Sequence, residues 1–398
     1  DFGTYPKGLV YNIKIMNSWL YDEDPALYLY YENLFKKMRK GLESRYFEET
    51  LEKRLLDNTH RALVILKPSK TLAGERDKAL AEELAAKKER LSPEEIERII
   101  ALNKRLKERQ ESPETPEALA KIPLLSLSDI RTEAERIPLE ERSLAGCKVL
   151  FSDIFTNKIA YLNLYFDTQC VPQEKIPQLF LLSELIGAMD TKSHTYAEIA
   201  NRMNLHTGGI SYEAFAAARK GEPDSSMPLF RIRARAFQRN LPELFSLLGE
   251  ILTETRFDDK KRLEELCGQC RAVMEMRVMS ASQQAMAVRL ASYLSPAGAY
   301  NEQAGLSFHR FIVDITDHFE ERFASLSATL AELLPLVFRK DGLTFGLTLH
   351  AKDYALFEGE AEAFCRRLPQ ESAVPRTYHW KVEAKNEGLL SSSRVQYV

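Results

Sequence analysis

Residues 74–100 read GERDKALAEELAAKKERLSPEEIERII, a charged stretch that is interrupted once, at Ser92 and Pro93. Leucine and isoleucine recur at helical spacing on both sides of the interruption, among Lys, Arg and Glu. Ser92 can cap free N–H groups, Pro93 suits the first helical position, and Glu95 completes a capping box. The stretch therefore predicts a solvated helical hairpin that buries one narrow seam and connects an earlier globular piece to a later, larger one.

The earlier piece, residues 1–70, shows helical periodicity and a single strand-like run. Its Asp22-Glu23-Asp24-Pro25 sequence offers carboxylates to a metal ion, but acids before a proline are more typical of a helix start. Residues 62–66, closed by Pro68, predict a buried strand. Because a lone strand has no partner for its hydrogen bonds, we expect this piece to be the end of a larger domain.

The later piece combines alternating strands with long helices. Phe230, Ile232, Ala234 and Ala236 alternate with arginines, which predicts a strand with one buried face. Other strands are predicted at residues 149–151, 159–166, 210–216, 343–349, 377–382 and 395–398. Apolar periodicity predicts helices at residues 176–187, 196–203, 241–252, 258–293, 308–326 and 357–367. This mixed order of elements, with antiparallel pairs and long helices, predicts an α+β fold.

The composition is that of a globular protein with two or three domains, because 44% of the 398 residues are hydrophobic and 28% are charged. The net charge of −3 favours neither nucleic acid nor an anionic membrane as a partner. No apolar run approaches the roughly 20 residues of a membrane helix. Five scattered cysteines favour a reducing compartment, the cytoplasm or an organelle matrix, over a disulfide framework.

Motifs with established chemistry are absent: the sequence contains no HExxH, HxxEH, P-loop, GxGxxG or GxSxG pattern. Cys267 and Cys270 form a CxxC, but they fall inside a predicted helix without further ligands, so ordinary helix cysteines are favoured over a zinc or redox site. Asp314, Asp317 and His318 can approach one another on a helix. No second histidine is near them, so a surface ion pair is favoured over a metal site.

Arg231, Arg233 and Arg235 form a stripe on one predicted strand. The stripe could hold an acidic peptide or a nucleic acid, although a solvated or chamber-facing sheet surface is the favoured interpretation. The residues themselves therefore predict no catalytic, cofactor-binding or metal-binding group in this chain.

Four segments carry a resemblance to a known family: DFGTYPKG at residues 1–8, SWLYD at 18–22, LLDNTHR at 55–61 and IPLLSLSDI at 122–130. They resemble the presequence-protease branch (M16C) of the pitrilysin/insulinase metallopeptidases, and the match covers essentially the whole chain. The resemblance implies four related α+β domains, two in each half. A helical hairpin joins the halves, which close around a peptide chamber.

The resemblance also implies a division of the chain. The parts are the C-terminal end of a second M16-type domain at residues 1–70 and a helical-hairpin linker at 71–125. They are followed by a third, non-catalytic M16-type (pitrilysin-like) sandwich domain of mixed sheet and helices at 126–350, and by a linker with the first strand of a truncated fourth domain at 351–398. The HxxEH zinc helix of the family belongs to the first domain. Its Arg-x-x-Gly-Gly-Ala-Tyr segment would follow Val398, so neither motif is expected here.

The first helix of the third domain stands where the zinc helix stands in the catalytic domain. If Gly187 matches the glycine that closes that helix, the ligand positions hold Gln178, Leu181 and Leu182. Leucine has no lone pair to donate to zinc. The expected catalytic, cofactor-binding and metal-binding residues are therefore none.

Two function classes follow. In the first, the chain is the non-catalytic central portion of a zinc metallo-oligopeptidase and forms part of the wall and hinge of a chamber that encloses unstructured peptides. Zinc and hydrolysis then belong to the parent chain, the partners are its missing N-terminal and C-terminal domains, and this chain alone is inactive. The alternative is a free-standing interaction or scaffold module that uses the charged hairpin.

Overall fold

A computed structural model gives the structure of the protein and describes residues 5–130, 132–134 and 136–388. The chain divides into two units, residues 1–126 and residues 127–398. Helices make up the regular structure of the described part of the first unit, whereas the second combines helices with a sheet. The domain limits implied by the resemblance stay predictions.

The first unit contains helices α1 (Lys7–Trp19), α2 (Glu32–Gly41), α3 (Tyr46–Leu51) with a π-helical turn at Glu52–Leu56, α4 (Leu72–Arg90), α5 (Pro93–Glu111) and α6 (Pro116–Leu119). The predicted helix start at Pro25 is wrong. The carboxylate of Asp24 accepts the N–H of Ala26 at 2.9 Å, but residues 25–29 form turns and α2 begins only at Glu32. Aspartate stabilises a turn through the same kind of bond, so the acidic run does not distinguish the two structures.

Helices α4 and α5 form where the sequence places them. The hydroxyl of Ser92 accepts the N–H of Glu95 at 3.2 Å, and the Glu95 carboxylate accepts the N–H of Ser92 at 2.8 Å, which confirms the capping box. The predicted buried seam is wrong, because no side chain of either helix is buried and Leu80 keeps 54% of its surface exposed. Periodicity identifies an apolar stripe, but it does not supply the partner that buries it.

The predicted strand at residues 62–66 is also wrong. The segment is irregular, and Leu63 and Leu66 expose 88% and 91% of their surfaces. A strand needs a neighbour for its N–H and C=O groups, and the described residues of the first unit include no other strand. The run is therefore an apolar segment that is open to solvent.

The described part of the second unit is organised by six strands: β1 (Glu140–Leu144), β2 (Cys147–Asp153), β3 (Ile159–Asp167), β4 (Ile210–Arg219), β5 (Glu222–Phe237) and β6 (Leu343–Leu349). Their spatial order is β1-β2-β6-β3-β5-β4. Strands β2 and β6 are parallel, and the other neighbours are antiparallel. The predicted α+β class with a mixed sheet is confirmed.

The helices of the second unit are α7 (Ile176–Leu185), α8 (Tyr196–His206), α9 (Leu241–Glu254), α10 (Lys260–Ser280), α11 (Ser282–Ala291), α12 (Pro296–Glu302), α13 (Leu306–Asp317), α14 (Phe319–Val337) and α15 (Tyr354–Arg367). The long predicted helix at 258–293 is divided at Ala281, where the backbone leaves helical geometry. Aromatic contacts join the helices to the sheet: the ring of Phe345 on β6 lies 5.5 Å from Phe357 and 6.5 Å from Phe364 on α15. These contacts place the core on one face of the sheet.

Helix α12 covers the edge strand β4. The side-chain carbonyl of Asn301 accepts the N–H of Ala216 at 2.7 Å, and its amide donates to the Ala216 carbonyl at 2.9 Å. The Asn301 side chain thus bonds the backbone N–H and C=O of Ala216, which a further strand would bond if β4 were not at the edge.

Residues 369–388 lie across the second unit as an irregular segment. Arg376 donates its N–H to the carbonyl of Gln169 at 2.8 Å, and the Tyr378 hydroxyl donates to Val171 O at 2.9 Å. The segment therefore bonds to the loop after β3 and joins no strand, so the predicted strand at 377–382 is wrong. The strand predicted at 395–398 lies outside the described residues.

Candidate functional site

One face of the sheet is free of the packed core and carries polar and aromatic side chains. This open face consists of Tyr161, Asn163 and Tyr165 on β3, Arg231, Arg233 and Arg235 on β5, and Thr344, Gly346 and Thr348 on β6. The register places Tyr161 opposite Arg235, and Tyr165 opposite Arg231. Directly opposite side chains on one face lie about 5 Å apart. The open face is therefore one continuous patch in which each tyrosine stands beside an arginine.

Two arginines of the stripe, Arg231 and Arg233, lie near the same carboxylate. Arg231 is paired with Glu213 of β4, and its guanidinium lies 5.0 Å from the centre of the Phe215 ring. The same Glu213 carboxylate lies 3.9 Å from Arg233, which keeps 59% of its side chain exposed. One carboxylate therefore serves Arg231 and Arg233, and the exposed Arg233 guanidinium has further N–H groups to donate.

The third arginine lies over a glycine turn. Arg235 donates from Nε to the carbonyl of Gly208 at 2.8 Å. A Cβ at Gly208 would lie 2.8 Å from the Arg235 side chain, so a larger residue would displace it. Gly209, which follows, adopts a φ of +115°, a conformation that glycine allows without strain. The contact of this turn with the arginine stripe depends on the pairing of β4 and β5.

Strand β6 carries the smallest side chains of the open face. Gly346 lies opposite Asn163, and a Cβ at Gly346 would lie 3.2 Å from the Tyr165 ring. The threonines on either side of this glycine are small. The side chains of Tyr165 and Asn163 therefore pack over the glycine, which has no side chain to displace them.

A second cluster of polar and charged side chains lies among the helices of the second unit, and no sequence motif predicts it. The carboxylate of Glu250 accepts hydrogen bonds from the Thr191 hydroxyl at 2.6 Å and from Arg202 at 3.0 Å, and it lies 2.9 Å from His194 Nδ1. Burial alone would raise the pKa of Glu250, but these hydrogen bonds and charges outweigh it and lower the pKa. Its members come from α8, α9 and the loop between α7 and α8, so only the fold brings them together. The cluster is a network of polar and charged groups around one buried carboxylate.

The CxxC cysteines lie on α10, as predicted. Burial raises the pKa of Cys267 to about 12 and that of Cys270 to about 12. Thiols that stay protonated at neutral pH are poor nucleophiles and poor metal ligands. The chemistry of the pair therefore agrees with two ordinary helix cysteines.

The acidic group at the end of α13 is divided between two arginines. His318 Nδ1 lies 3.4 Å from Asp314, which also pairs with Arg322 at 3.0 Å. Asp317 instead pairs with Arg271 at 2.6 Å. These contacts agree with the surface ion pairs that the sequence favours. Across the described residues, no group of three or more His, Cys, Asp or Glu side chains is placed to hold a metal ion.

Helix α7 stands at the position that the resemblance assigns to a zinc helix. Leu181 and Leu182 are fully buried in the core, and Gln178 is half-buried. Gly187 follows the helix with a φ of +81°, and a Cβ there would lie 2.8 Å from the Tyr212 hydroxyl. Zinc requires nitrogen, sulfur or oxygen ligands, and these leucines provide none. The residues of α7 do not fit a zinc ion.

The family model described as "Peptidase M16C associated" matches residues 66–315, more than half of the chain. The chain belongs to this M16C-associated family. The match includes the α4–α5 hairpin, the β3 and β5 residues of the open face, and α7. It confirms the resemblance to the presequence-protease branch that the four sequence segments indicate.

Relatives of this M16C-associated chain are longer proteins. "Protein HypA" of Clostridium perfringens (strain 13 / Type A) is 33% identical over 399 residues, which cover 100% of this chain and 41% of that protein. "Presequence protease 1, chloroplastic/mitochondrial" of Arabidopsis thaliana is 27% identical over 402 residues, which cover 100% of this chain and 37% of that protein. The chain thus spans about two fifths of the length of these relatives.

Solved structures with similar folds include a peptidase M16 inactive domain from Pseudomonas fluorescens, with a TM-score of 0.45, 16% identity and coverage of 62% of this chain and 54% of that one. Pitrilysin has a TM-score of 0.44 and 15% identity, over 64% of this chain and 25% of its own.

None of the helices in the described part of the chain combines the length and apolar character needed to span a bilayer.

Proposed function

We propose that this chain is a non-catalytic central portion of an M16C zinc metallo-oligopeptidase, and that its open face is part of the wall of a chamber enclosing unstructured peptides. The observation that carries the proposal is the open face itself. In an M16C-associated chain, one side of the sheet packs the core, and the other presents Arg233 and its neighbours to solvent. A sheet face that carries arginine and tyrosine suits a surface that meets many different peptides.

The side chains of the open face can bind peptides without reading one sequence. Tyrosine, asparagine and arginine all donate hydrogen bonds, so they can bind the backbone carbonyl groups that every extended peptide offers. Arginine also binds carboxylates through paired N–H groups. Peptides with acidic side chains therefore gain an additional contact at the stripe.

In this proposal, the catalytic zinc and the groups that activate water come from other parts of the longer chain. When bound there, zinc would polarise the peptide carbonyl and lower the pKa of a bound water. The present chain contributes the wall, and residues 71–125 contribute the hinge between the halves. The hinge role is supported by α4 and α5, which are charged and bury no side chain.

The alternative, a free-standing scaffold module, uses the same exposed hairpin helices. The two functions differ in what is encoded upstream of residue 1. An HxxEH motif in the same reading frame supports the peptidase. A start codon directly before this segment, without such a motif, supports the module.

The wall function is tested by reversing one charge in the full-length peptidase. For Arg233→Glu, we expect the KM for an acidic fluorogenic peptide to rise about 2- to 5-fold, because an exposed charge pair contributes below about 1 kcal/mol. The kcat should not change. The matched control is Arg366→Glu, which changes an arginine that is 71% exposed on α15. Equal effects of both variants, or equal effects on acidic and basic peptides, would contradict the proposal.

A further inference from the structure

Two thiols meet inside the second unit although they are 218 residues apart in the chain. Cys147 is the first residue of β2, and Cys365 lies in the last turn of α15. Their Sγ atoms are 3.9 Å apart, and the residues expose only 3% and 1% of their surfaces. We propose that Cys147 and Cys365 form a dithiol site that a hydroperoxide converts into a disulfide bond between β2 and α15.

The surroundings of the pair assign different roles to the two sulfur atoms. The hydrogen bond between the two sulfur atoms, together with the positive charge of Lys340, lowers the pKa of Cys147 and outweighs the opposite effect of burial. The same bond and burial raise the pKa of Cys365. At neutral pH, Cys147 therefore has the greater thiolate character and is the attacking sulfur, since the thiolate is the nucleophile. Cys365 is the resolving thiol.

The position of Cys147 gives an oxidant a route to it. Ala145 and Gly146, with φ angles of +51° and +84°, form the tight turn that joins β1 to β2. Among the described strands, β1 is at the sheet edge and pairs with β2. Edge elements open at a lower free energy than the centre of a fold. Opening of the β1–β2 turn exposes Cys147 while the other strands of the sheet stay paired.

The reaction balances with one peroxide for each pair of thiols. The Cys147 thiolate attacks one peroxide oxygen and the O–O bond breaks, which gives a sulfenic acid and a hydroxide or alkoxide. This leaving group takes up the proton that the Cys147 thiol released to solvent and becomes water or an alcohol. The Cys365 sulfur then attacks the sulfenic sulfur, the S–O bond breaks, and hydroxide leaves with the thiol proton as water. The two thiols lose two electrons, and the peroxide gains them.

A second pair of cysteines in the same unit serves as an internal control. Cys267 and Cys270 are one helical turn apart on α10, and burial raises the pKa of both thiols to about 12. They are also close in space, but neither has thiolate character at neutral pH. If proximity alone decided which thiols are oxidised, both pairs would form disulfides. The surroundings of the thiols instead favour oxidation of Cys147 and Cys365.

The test is hydrogen peroxide treatment of the folded chain, followed by alkylation of free thiols and non-reducing peptide mapping. We expect a disulfide between the Cys147 and Cys365 peptides that dithiothreitol reverses, while Cys267 and Cys270 are recovered as thiols. The Tm of the oxidised chain should rise by several degrees, because the bond closes a long loop in the unfolded state.

Variants separate the two pairs. Cys365→Ser should leave Cys147 as a sulfenic acid that dimedone traps, whereas Cys267→Ser with Cys270→Ser should leave disulfide formation unchanged. The mapping of the unsubstituted chain decides the proposal even if Cys365→Ser fails to fold. Recovery of both Cys147 and Cys365 as free thiols after treatment, or oxidation of the α10 pair at the same rate, would overturn it.

Discussion

Glu250 shows at the scale of one residue how the second unit keeps a buried charge. The residue exposes only 5% of its surface, and it lies among a hydroxyl, an imidazole and a guanidinium. Removing an ion from water is costly unless hydrogen bonds and opposite charge replace the solvent. The three partners supply that replacement, which is why the pKa of Glu250 is lowered despite burial.

We expect Glu250→Gln to lower the free energy of unfolding by about 2 kcal/mol at pH 7, because bonds from a charged group are lost and Arg202 loses one carboxylate. A lowered folded pKa stabilises the protein above the ordinary glutamate pKa of about 4.3, and this contribution is lost as the pH falls through the folded value. The difference between the two proteins should therefore shrink below about pH 4.

Urea unfolding at several pH values measures this difference. Glu243→Gln is the matched control, because Glu243 binds the same Arg202 at 2.8 Å but keeps 31% of its side chain exposed. The control should lose less than about 1 kcal/mol. Equal losses in the two variants would mean that burial of the Glu250 carboxylate does not increase its contribution to the free energy of unfolding.

Asn301 is the second residue whose role depends on burial. Asn301→Ala removes both hydrogen bonds to Ala216, which is 5% exposed, so water cannot replace them well. We expect a loss of about 2 kcal/mol in urea unfolding, about 1 kcal/mol for each bond. Asn103→Ala, on exposed α5, is the control and should change stability by less than about 0.5 kcal/mol. A control loss as large as that of Asn301→Ala would refute the edge-capping role.

At the scale of elements, the α4–α5 hairpin depends on its own caps. Ser92→Gly removes the side-chain cap at a cost of roughly a few tenths of a kcal/mol, and Pro93→Gly frees the unfolded chain at a cost of up to about 1 kcal/mol. Because α4 and α5 bury no side chain, little packing opposes the loss. We expect faster hydrogen exchange at residues 80–110. Equal acceleration in β3 would show that the hairpin supports the second unit.

At the scale of the whole molecule, the apolar run at residues 62–66 is the clearest liability. It has no charge and no proline, and its backbone joins no strand, which are features of segments that pair with another copy. We expect the chain to self-associate in sedimentation experiments, and Leu63→Lys with Ile65→Lys to reduce this association. The control, Glu82→Lys on α4, adds charge elsewhere. An unchanged sedimentation profile in the double variant would exclude this run as the contact.

The whole chain should also bind no stoichiometric zinc and cleave no peptide. The physical reason is the lack of a three-ligand group among the described residues, together with leucines at the expected ligand positions of α7. Metal analysis after a chelator wash and a fluorogenic peptide assay measure both properties. One tightly held zinc per chain, with cleavage that a chelator stops, would show that the chain has its own active site.

The sequence by itself determined the elements whose signals are local. The alternation around Phe230 predicts β5 because side chains of a strand point to opposite faces in turn, and the pattern at 343–349 predicts β6 for the same reason. The Ser92 capping box is equally local, since its two hydrogen bonds join residues three positions apart. The helices α4 and α5 follow from it.

Only the tertiary structure decided which surfaces are covered and which distant groups meet. Residues 62–66 have the composition of a strand, but strand formation needs a neighbour, which composition does not contain. Glu250 and His194 are 56 residues apart, and Cys147 and Cys365 are 218 apart. No spacing rule connects such residues, because their contact depends on how the strands and helices of the second unit pack. The open face depends on both the sequence and the tertiary structure. The alternation of residues predicts its arginines, and the order of the strands places tyrosines beside them.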